Sequence, residues 1–191
     1  MKPFVFSIVT LLFLSASLWN TKTYQCSVLE GSSLEVIGHT NVKGFTCEYS
    51  GLQVCEDIQI DVTRSNNTYS FQNCGIEINT CNFDCGRNGI NKDFQDLLKA
   101  DDYPTLKISL SEVKPIDDDS VSVTTAITIT NVTLNYTYKL QYNTHENVVE
   151  VRGILPINIT DFKLHPPTKF MGMVKVKEQI ELDVDLRIHF N

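Results

Sequence analysis

Cysteine is the residue type in this chain whose spacing has the clearest chemical meaning. The six cysteines lie at positions 26, 47, 55, 74, 81 and 85 of 191 residues. An even number of cysteines predicts disulfides if the protein is exported. A metal site is the alternative, but the chain has no Cys-x-x-Cys pair, and no histidine lies near the Cys81-x-x-x-Cys85 spacing. We therefore expect disulfides rather than a metal centre.

Other residue types that catalyse reactions or bind metals are scattered. The four histidines, at 39, 145, 165 and 189, lie in different local contexts, whereas metal sites normally combine clustered ligands. The acidic run Asp117-Asp118-Asp119 lacks the alternating ligands and the glycine of a calcium loop. No nucleophile elbow, phosphate-binding glycine loop or H-E-x-x-H motif is present. We predict no catalytic residue, metal or cofactor, and a hydrolase-type enzyme is the least favoured function.

Aromatic side chains are the best candidates for contacts with a ligand. Tyr136, Tyr138 and Tyr142 share one face of a predicted strand, and further aromatic residues lie on or near the predicted helix and loops: Phe94, Tyr103, Phe162 and Phe170. A tyrosine has an apolar body and a polar tip, which suits the mouth of a cavity that holds a lipid. Packing in an ordinary core is the simpler alternative, because apolar faces are needed to fold the chain.

One amphipathic helix is predicted between Cys85 and Pro104. Its apolar stripe has the spacing i, i+4, i+7, i+8 and consists of Ile90, Phe94, Leu97 and Leu98. Asn88 or Asn91 is expected to cap the first turn. Pro104 cannot continue a helix and favours an extended Tyr103.

Alternating apolar and polar residues predict antiparallel strands over most of the remaining chain. The interior is expected to receive Ile127, Ile129, Leu182, Val184 and Leu186, while Glu181, Asp183 and Arg187 face water. A closed barrel gives such faces one shared interior and removes exposed edges. A sandwich would satisfy the same pattern. The predicted fold class is therefore all-β with one short helix.

The first residues have the three parts of a secretory leader, with Lys2, an apolar run from Phe4 to Leu14, and small residues at Ser15-Ala16-Ser17. The run is shorter than the roughly 20 residues of a spanning helix. We expect a signal peptide at residues 1–20, one domain at 21–191, and a periplasmic or secreted protein without stable membrane insertion. The net charge of −7 also argues against a nucleic-acid partner.

Several short motifs occur along the chain in a fixed order. They are Gly38-His39-Thr40-Asn41-Val42, Phe45-Thr46-Cys47, Phe83-Asp84-Cys85-Gly86, Asp102-Tyr103-Pro104-Thr105, Ala126-Ile127-Thr128-Ile129 and Thr160-Asp161-Phe162. Together they resemble the YceI-like family of exported lipid-binding proteins, in the short form common in Bacteroidetes-type bacteria. The resemblance covers most of the chain after the leader. It implies an extended, lipocalin-like antiparallel β-barrel with a helix closing one side.

The resemblance also implies a ligand, an amphiphilic lipid with an isoprenoid- or quinone-like chain held inside the barrel. The candidate lining residues are Phe94, Leu98, Tyr103, Ile127, Ile129, Tyr136, Tyr138, Phe162 and Phe170. The alternative is a secreted structural or interaction module with a filled core and a large exposed apolar patch. The volume of the interior cavity distinguishes the two, and the sequence leaves a homodimer open.

A disulfide between Cys47 and Cys85 is the pairing that the resemblance favours. Both residues sit at matching points of its motifs, in apparent strand positions next to a turn or a helix. The other four cysteines, at 26, 55, 74 and 81, allow three pairings. Among these we favour Cys55–Cys74.

Overall fold

The computed structural model describes residues 21–52, 58–166, 168–169 and 174–191, so the predictions for Cys55 and Phe170 lie outside the described residues. The first strands are β1 (Thr21–Val28), β2 (Ser33–His39), β3 (Gly44–Tyr49), β4 (Ile58–Ser65), β5 (Thr68–Gln72), β6 (Gly75–Asn79) and β7 (Phe83–Asp84). The α-helix α1 (Asn88–Leu98) is followed by β8 (Thr105–Pro115), β9 (Ser120–Ile129), β10 (Val132–His145), β11 (Val148–Asn158), β12 (Thr168–Lys169), β13 (Val174–Lys175) and β14 (Gln179–Phe190). Short 3-10 turns cover Thr80–Asn82 and Ile159–Phe162.

Eight of the described strands form a closed antiparallel barrel in the order β1-β4-β5-β8-β9-β10-β11-β14, and β14 pairs back to β1. Along one edge β14 pairs with β11, while its other edge is shared between two strands. Val36 of β2 pairs with Leu182, and Cys26 of β1 pairs with Phe190. The sheet therefore closes as a barrel rather than as a sandwich, and the predicted all-β fold with one short helix is confirmed.

The two ends of the barrel differ. The helix end comprises α1, the turn at residues 40–43, the Thr130–Asn131 turn and the 3-10 turn Ile159–Phe162. The far end comprises the turns at residues 66–67, 116–119 and 146–147. Most of the fully buried apolar side chains lie toward the helix end, where α1 covers the sheet.

The predicted inward face of the barrel wall is observed, whereas the residues predicted to face water, Glu181, Asp183 and Arg187, are half-buried. Ile127, Ile129, Leu182 and Val184 are buried, and Leu186, nearer the far end, is half-buried. In β8 the alternation shifts by one residue at Ser111, because Leu110 pairs with Thr125 whereas Glu112 pairs with Thr124. This β-bulge moves the inward series from even to odd positions.

Helix α1 packs its predicted apolar stripe onto the barrel, but the predicted cap is wrong. Arg87 precedes the helix, and no described side chain caps its first turn. Asn91 instead accepts a hydrogen bond from the Cys85 N–H at 2.6 Å and donates one to the Asp84 carboxylate at 3.1 Å. Asn91 therefore ties the helix to β7 rather than completing its N-terminus.

The helix ends at Leu98, six positions before Pro104. Lys99 adopts the left-handed conformation, with φ of 54°, and its N–H bonds back to Asp96, which is a common way for a helix to end. The Pro104 carbonyl has another role, since it accepts hydrogen bonds from both the N–H and the hydroxyl of the buried Thr80. These two bonds fix the corner between α1 and β8 against the turn before β7.

The predicted Cys47–Cys85 disulfide is present. The β3–β7 register pairs Glu48 with Asp84, so Cys47 and Cys85 are the next residues opposite each other, with Cα atoms 3.9 Å apart. Cys74 forms no disulfide with a described residue. Burial and the nearby Cys26 raise the pKa of the Cys74 thiol to about 11. The Cys55–Cys74 pairing stays a prediction.

Gly38 makes room for a neighbouring aromatic ring. It pairs with Phe45 across β2 and β3, and a Cβ atom on Gly38 would lie only 2.2 Å from the Phe45 ring. We expect Gly38→Ala to displace this ring and lower the free energy of unfolding by about 1–3 kcal/mol in urea denaturation. Gly89→Ala is the control, because a Cβ atom there would meet no described atom within 4 Å other than its chain neighbours and the helix's own backbone. In the helix that change should raise stability by up to about 1 kcal/mol, and equal losses in both variants would contradict the assignment.

Candidate functional site

An apolar cavity lies inside the barrel beneath α1. Its volume is about 60 Å³. The described residues that line it are all apolar: Leu34, Val36, Phe45, Ile78, Phe83, Phe94, Leu97, Leu98, Leu106, Ile108, Ile127, Ile129, Ile157, Ile159, Val176, Ile180 and Leu182. Ligand pockets usually measure about 300–1,000 Å³, so the interior is largely filled by its own side chains.

The predicted lining residues divide into two groups. Phe94, Leu98, Ile127 and Ile129 line the cavity. The other described candidates do not line it, namely Tyr103, Tyr136, Tyr138 and Phe162. Leu34, Val36 and Leu182 were not among the candidates, although strand alternation would have identified them. Phe45 also alternates with polar residues, in a series with Cys47 and Tyr49, so the same signal could have identified it.

The barrel wall opens between two strands toward the helix end. The β10–β11 pairing runs only from Gln141–Arg152 to His145–Val148. Beyond it, residues 132–140 and 153–158 separate, and we call the gap between them the β10–β11 seam. The Tyr138 hydroxyl reaches across this seam and donates a hydrogen bond to the Pro156 carbonyl at 3.2 Å.

Pro156 explains part of this opening. The N and C=O groups of a strand residue point to the same side, so the Pro156 nitrogen also faces β10. A proline has no N–H to donate to a neighbouring strand. A ladder bond from this residue to β10 cannot form, and the Tyr138 side chain supplies the hydrogen bond to the carbonyl instead.

Three aromatic rings fill the seam. Tyr136 stacks on Tyr138 with ring centroids 5.6 Å apart, and on Phe162 at 6.3 Å. Tyr138 and Phe162 are buried, and Tyr136 is half-buried. The Tyr136 hydroxyl oxygen is nevertheless buried, and it makes no hydrogen bond to any described residue. Burial and the Asp161 carboxylate raise the pKa of Tyr136, so this hydroxyl is protonated at neutral pH.

The residues that could support catalysis remain apart. His39 and His165 lie at the helix end, whereas His145 and His189 flank Val148 from neighbouring strands near the far end. In the acidic run, Asp117 accepts hydrogen bonds from the Ser120 hydroxyl and the Asp119 N–H. The bond from the Ser120 hydroxyl is the largest cause that lowers the pKa of Asp117, to about 2. Within the described ranges, no group of three or more His, Cys, Asp or Glu side chains could hold a metal ion.

None of the helices in the described part of the chain is long and apolar enough to cross a bilayer.

The fold is similar to that of several solved structures. BcnA of Burkholderia cenocepacia superposes with a TM-score of 0.59 at 16% identity, over 82% of this chain and 95% of that one. A polyisoprenoid binding domain from Saccharophagus degradans gives 0.60 at 14% identity, over 88% and 98%. The Campylobacter jejuni YCEI protein gives 0.51 at 13% identity, over 98% and 97%.

Sequence comparison is consistent with these similarities of fold. Among curated proteins, none matches the chain closely enough to count as a relative. The profile of the YceI-like domain, however, matches residues 24–188. This match covers helix α1 and at least part of every strand of the closed barrel. The chain therefore belongs to the YceI-like domain family.

Proposed function

We propose that the protein binds an amphiphilic lipid with an isoprenoid- or quinone-like chain inside its barrel. The observation that carries this proposal is the wholly apolar lining of the cavity beneath α1. Such a lining favours the burial of a hydrocarbon chain, whereas it offers no hydrogen bond to a polar ligand. Membership of the YceI-like family and the similar fold of a polyisoprenoid binding domain support the same class of ligand.

The small cavity means that the interior must expand to accept a chain. A volume of about 60 Å³ is several times smaller than the roughly 300 Å³ at the lower end for small-molecule pockets. Expansion at the β10–β11 seam breaks no ladder hydrogen bond between residues 132–140 and 153–158, because these segments do not pair with each other. Ligand entry there would displace side chains rather than dismantle the sheet.

The proposal includes export to an oxidising compartment. The leader-like residues 1–20 and the Cys47–Cys85 disulfide support a periplasmic or secreted location, since disulfides persist where thiols are not kept reduced. A lipid carrier in that location would hold an insoluble chain away from water.

Native mass spectrometry of the purified protein, with organic extraction of what it carries, tests the proposal. We expect an extra mass in the native spectrum and an isoprenoid lipid in the extract. Leu98→Trp should reduce loading by filling the cavity, whereas Val42→Trp, at a position that is 71% exposed, should leave loading unchanged. A wild-type protein that stays empty after incubation with quinones and polyprenols would show the proposal to be wrong.

The small volume favours one second candidate, a structural or interaction module with a filled core. This module would carry no lipid and would present an apolar surface to a protein partner. In the described part of the chain, however, the large exposed apolar side chains are widely separated: Val42, Ile116 and Ile154. The same mass spectra distinguish the candidates, because the module predicts an empty protein under every loading condition.

A further inference from the structure

The Tyr136 hydroxyl is an unsatisfied polar group at the edge of an apolar interior. Its oxygen is buried and has no hydrogen-bond partner among the described residues, although nearly all buried polar groups in folded proteins have one. Its neighbours are already engaged. The Thr125 hydroxyl, on the residue paired with Tyr136, donates to the Ser109 carbonyl, and the Tyr138 hydroxyl donates to Pro156.

The position of this hydroxyl suits the polar end of an amphiphile. Tyr136 lies on the inward face of β10, where Leu134 and Val132 of the same face are half-buried along the unpaired strand edge. The β10–β11 seam thus separates the apolar interior from solvent. A lipid whose chain lies inside would bring its head group to this boundary.

We propose that the β10–β11 seam holds the head group of the bound lipid, and that the Tyr136 hydroxyl hydrogen-bonds to an uncharged hydroxyl or carbonyl group there. This inference rests on the proposed function and adds the recognised head group to it. The rings of Tyr138 and Phe162, stacked against Tyr136, hold the phenol in place. Asp161 is an exposed acid next to Phe162 in the chain, and Phe162 stacks on Tyr136. A carboxylate at this edge of the seam disfavours a phosphate, so we expect the site to select an alcohol or a quinone over a phosphorylated lipid.

Three lipids with one tail and different heads test this inference: farnesol, farnesene and farnesyl monophosphate. We expect the wild-type protein to bind farnesol about fivefold more tightly than farnesene, which corresponds to one typical net hydrogen bond. It should bind the monophosphate more weakly than farnesol. Tyr136→Phe keeps the ring and should abolish the preference for farnesol, with farnesene affinity unchanged.

Two controls separate head-group recognition from folding. Tyr138→Phe loses a hydrogen bond within the protein, so it should lower the melting temperature and keep the farnesol preference. Tyr136→Phe removes an unsatisfied group, so its ligand-free melting temperature should equal or exceed that of the wild type. A clear fall in that melting temperature would show that the hydroxyl has a structural partner and would overturn the inference.

The remaining outcomes are equally decisive. An unchanged farnesol preference in Tyr136→Phe, or a wild-type preference for the monophosphate, refutes the head-group site while lipid binding stands. A wild-type protein that binds none of the three lipids also refutes it. In that case the native mass spectrum and lipid extract separately decide whether the barrel carries a lipid at all.

Discussion

Val184→Asp should prevent the protein from folding. Val184 is 8% exposed and faces the barrel interior, where β14 pairs it with Leu34 of β2 and Gly153 of β11. An aspartate there would bury a carboxylate among apolar groups, without a partner. The cost of several kcal/mol is a large part of the total stability of about 5–15 kcal/mol that a typical domain has. Circular dichroism should show no cooperative thermal transition.

Asp183→Ala is the matched control for this prediction. Asp183 is the preceding residue of the same strand and points to the outer face, opposite Glu35 of β2. Removing one of two like charges on adjacent strands should leave the melting temperature unchanged or raise it slightly. If the two variants melt alike, the assignment of inner and outer faces in β14 is wrong.

The alternation of residue types was sufficient to predict the faces of the strands but not the closure of the sheet. A barrel and a sandwich bury the same side of each strand, so Leu182 and Val184 are inward in either fold. Closure depends on the pairing of β1 with β14, which brings Cys26 opposite Phe190. The family resemblance supplied this information, because no local pattern specifies contacts between the two ends of a domain.

The sequence also did not predict which residues lie opposite one another on paired strands. Asp183, Glu35, Glu48 and Asp84 lie directly opposite one another across four adjacent strands. Each residue is recognisable as an outward acid, yet their alignment follows from the pairing of strands that are far apart in the chain. The bulge at Ser111 similarly results from pairing with β9, and the local alternation of residue types does not predict it.

The helix illustrates how tertiary contacts override a local expectation. Its apolar stripe was predicted correctly, because hydrophobic periodicity determines which face is buried. The predicted cap by Asn88 or Asn91 was wrong, because no described side chain caps the first turn. The Asn91 side chain bonds instead to Cys85 and Asp84 of the preceding segment. Capping preferences describe isolated helix ends, whereas this helix starts against a disulfide-linked strand.

The candidate site was only partly predictable for a similar reason. Phe94, Leu98, Ile127 and Ile129 were identified from periodicity, and all four line the cavity. The β10–β11 seam was not predicted, although Pro156 is a signal that could have indicated it, because a proline cannot donate a ladder hydrogen bond. The cavity volume cannot be predicted from residue types, since it depends on how closely the side chains of eleven separate segments approach one another.

Removing the Cys47–Cys85 disulfide should destabilise the protein by about 4 kcal/mol, since the link joins residues 38 positions apart and restricts the unfolded chain accordingly. The link also holds β7 and the start of α1 against β3, so its loss should loosen the cover of the cavity. Both sulfur atoms are buried, and replacing both cysteines by alanine avoids leaving a buried thiol.

Urea denaturation of Cys47→Ala/Cys85→Ala under non-reducing conditions measures this effect. We expect a clear shift of the midpoint to lower urea in the double variant. Cys81→Ala is the control, because Cys81 is exposed and forms no disulfide with a described residue, so its midpoint should match that of the wild type. Peptide mapping of the oxidised wild type should recover Cys47 joined to Cys85. A double variant as stable as the wild type would mean that the link does not constrain the unfolded chain, and that β3, β7 and α1 are held together by their packing and hydrogen bonds alone.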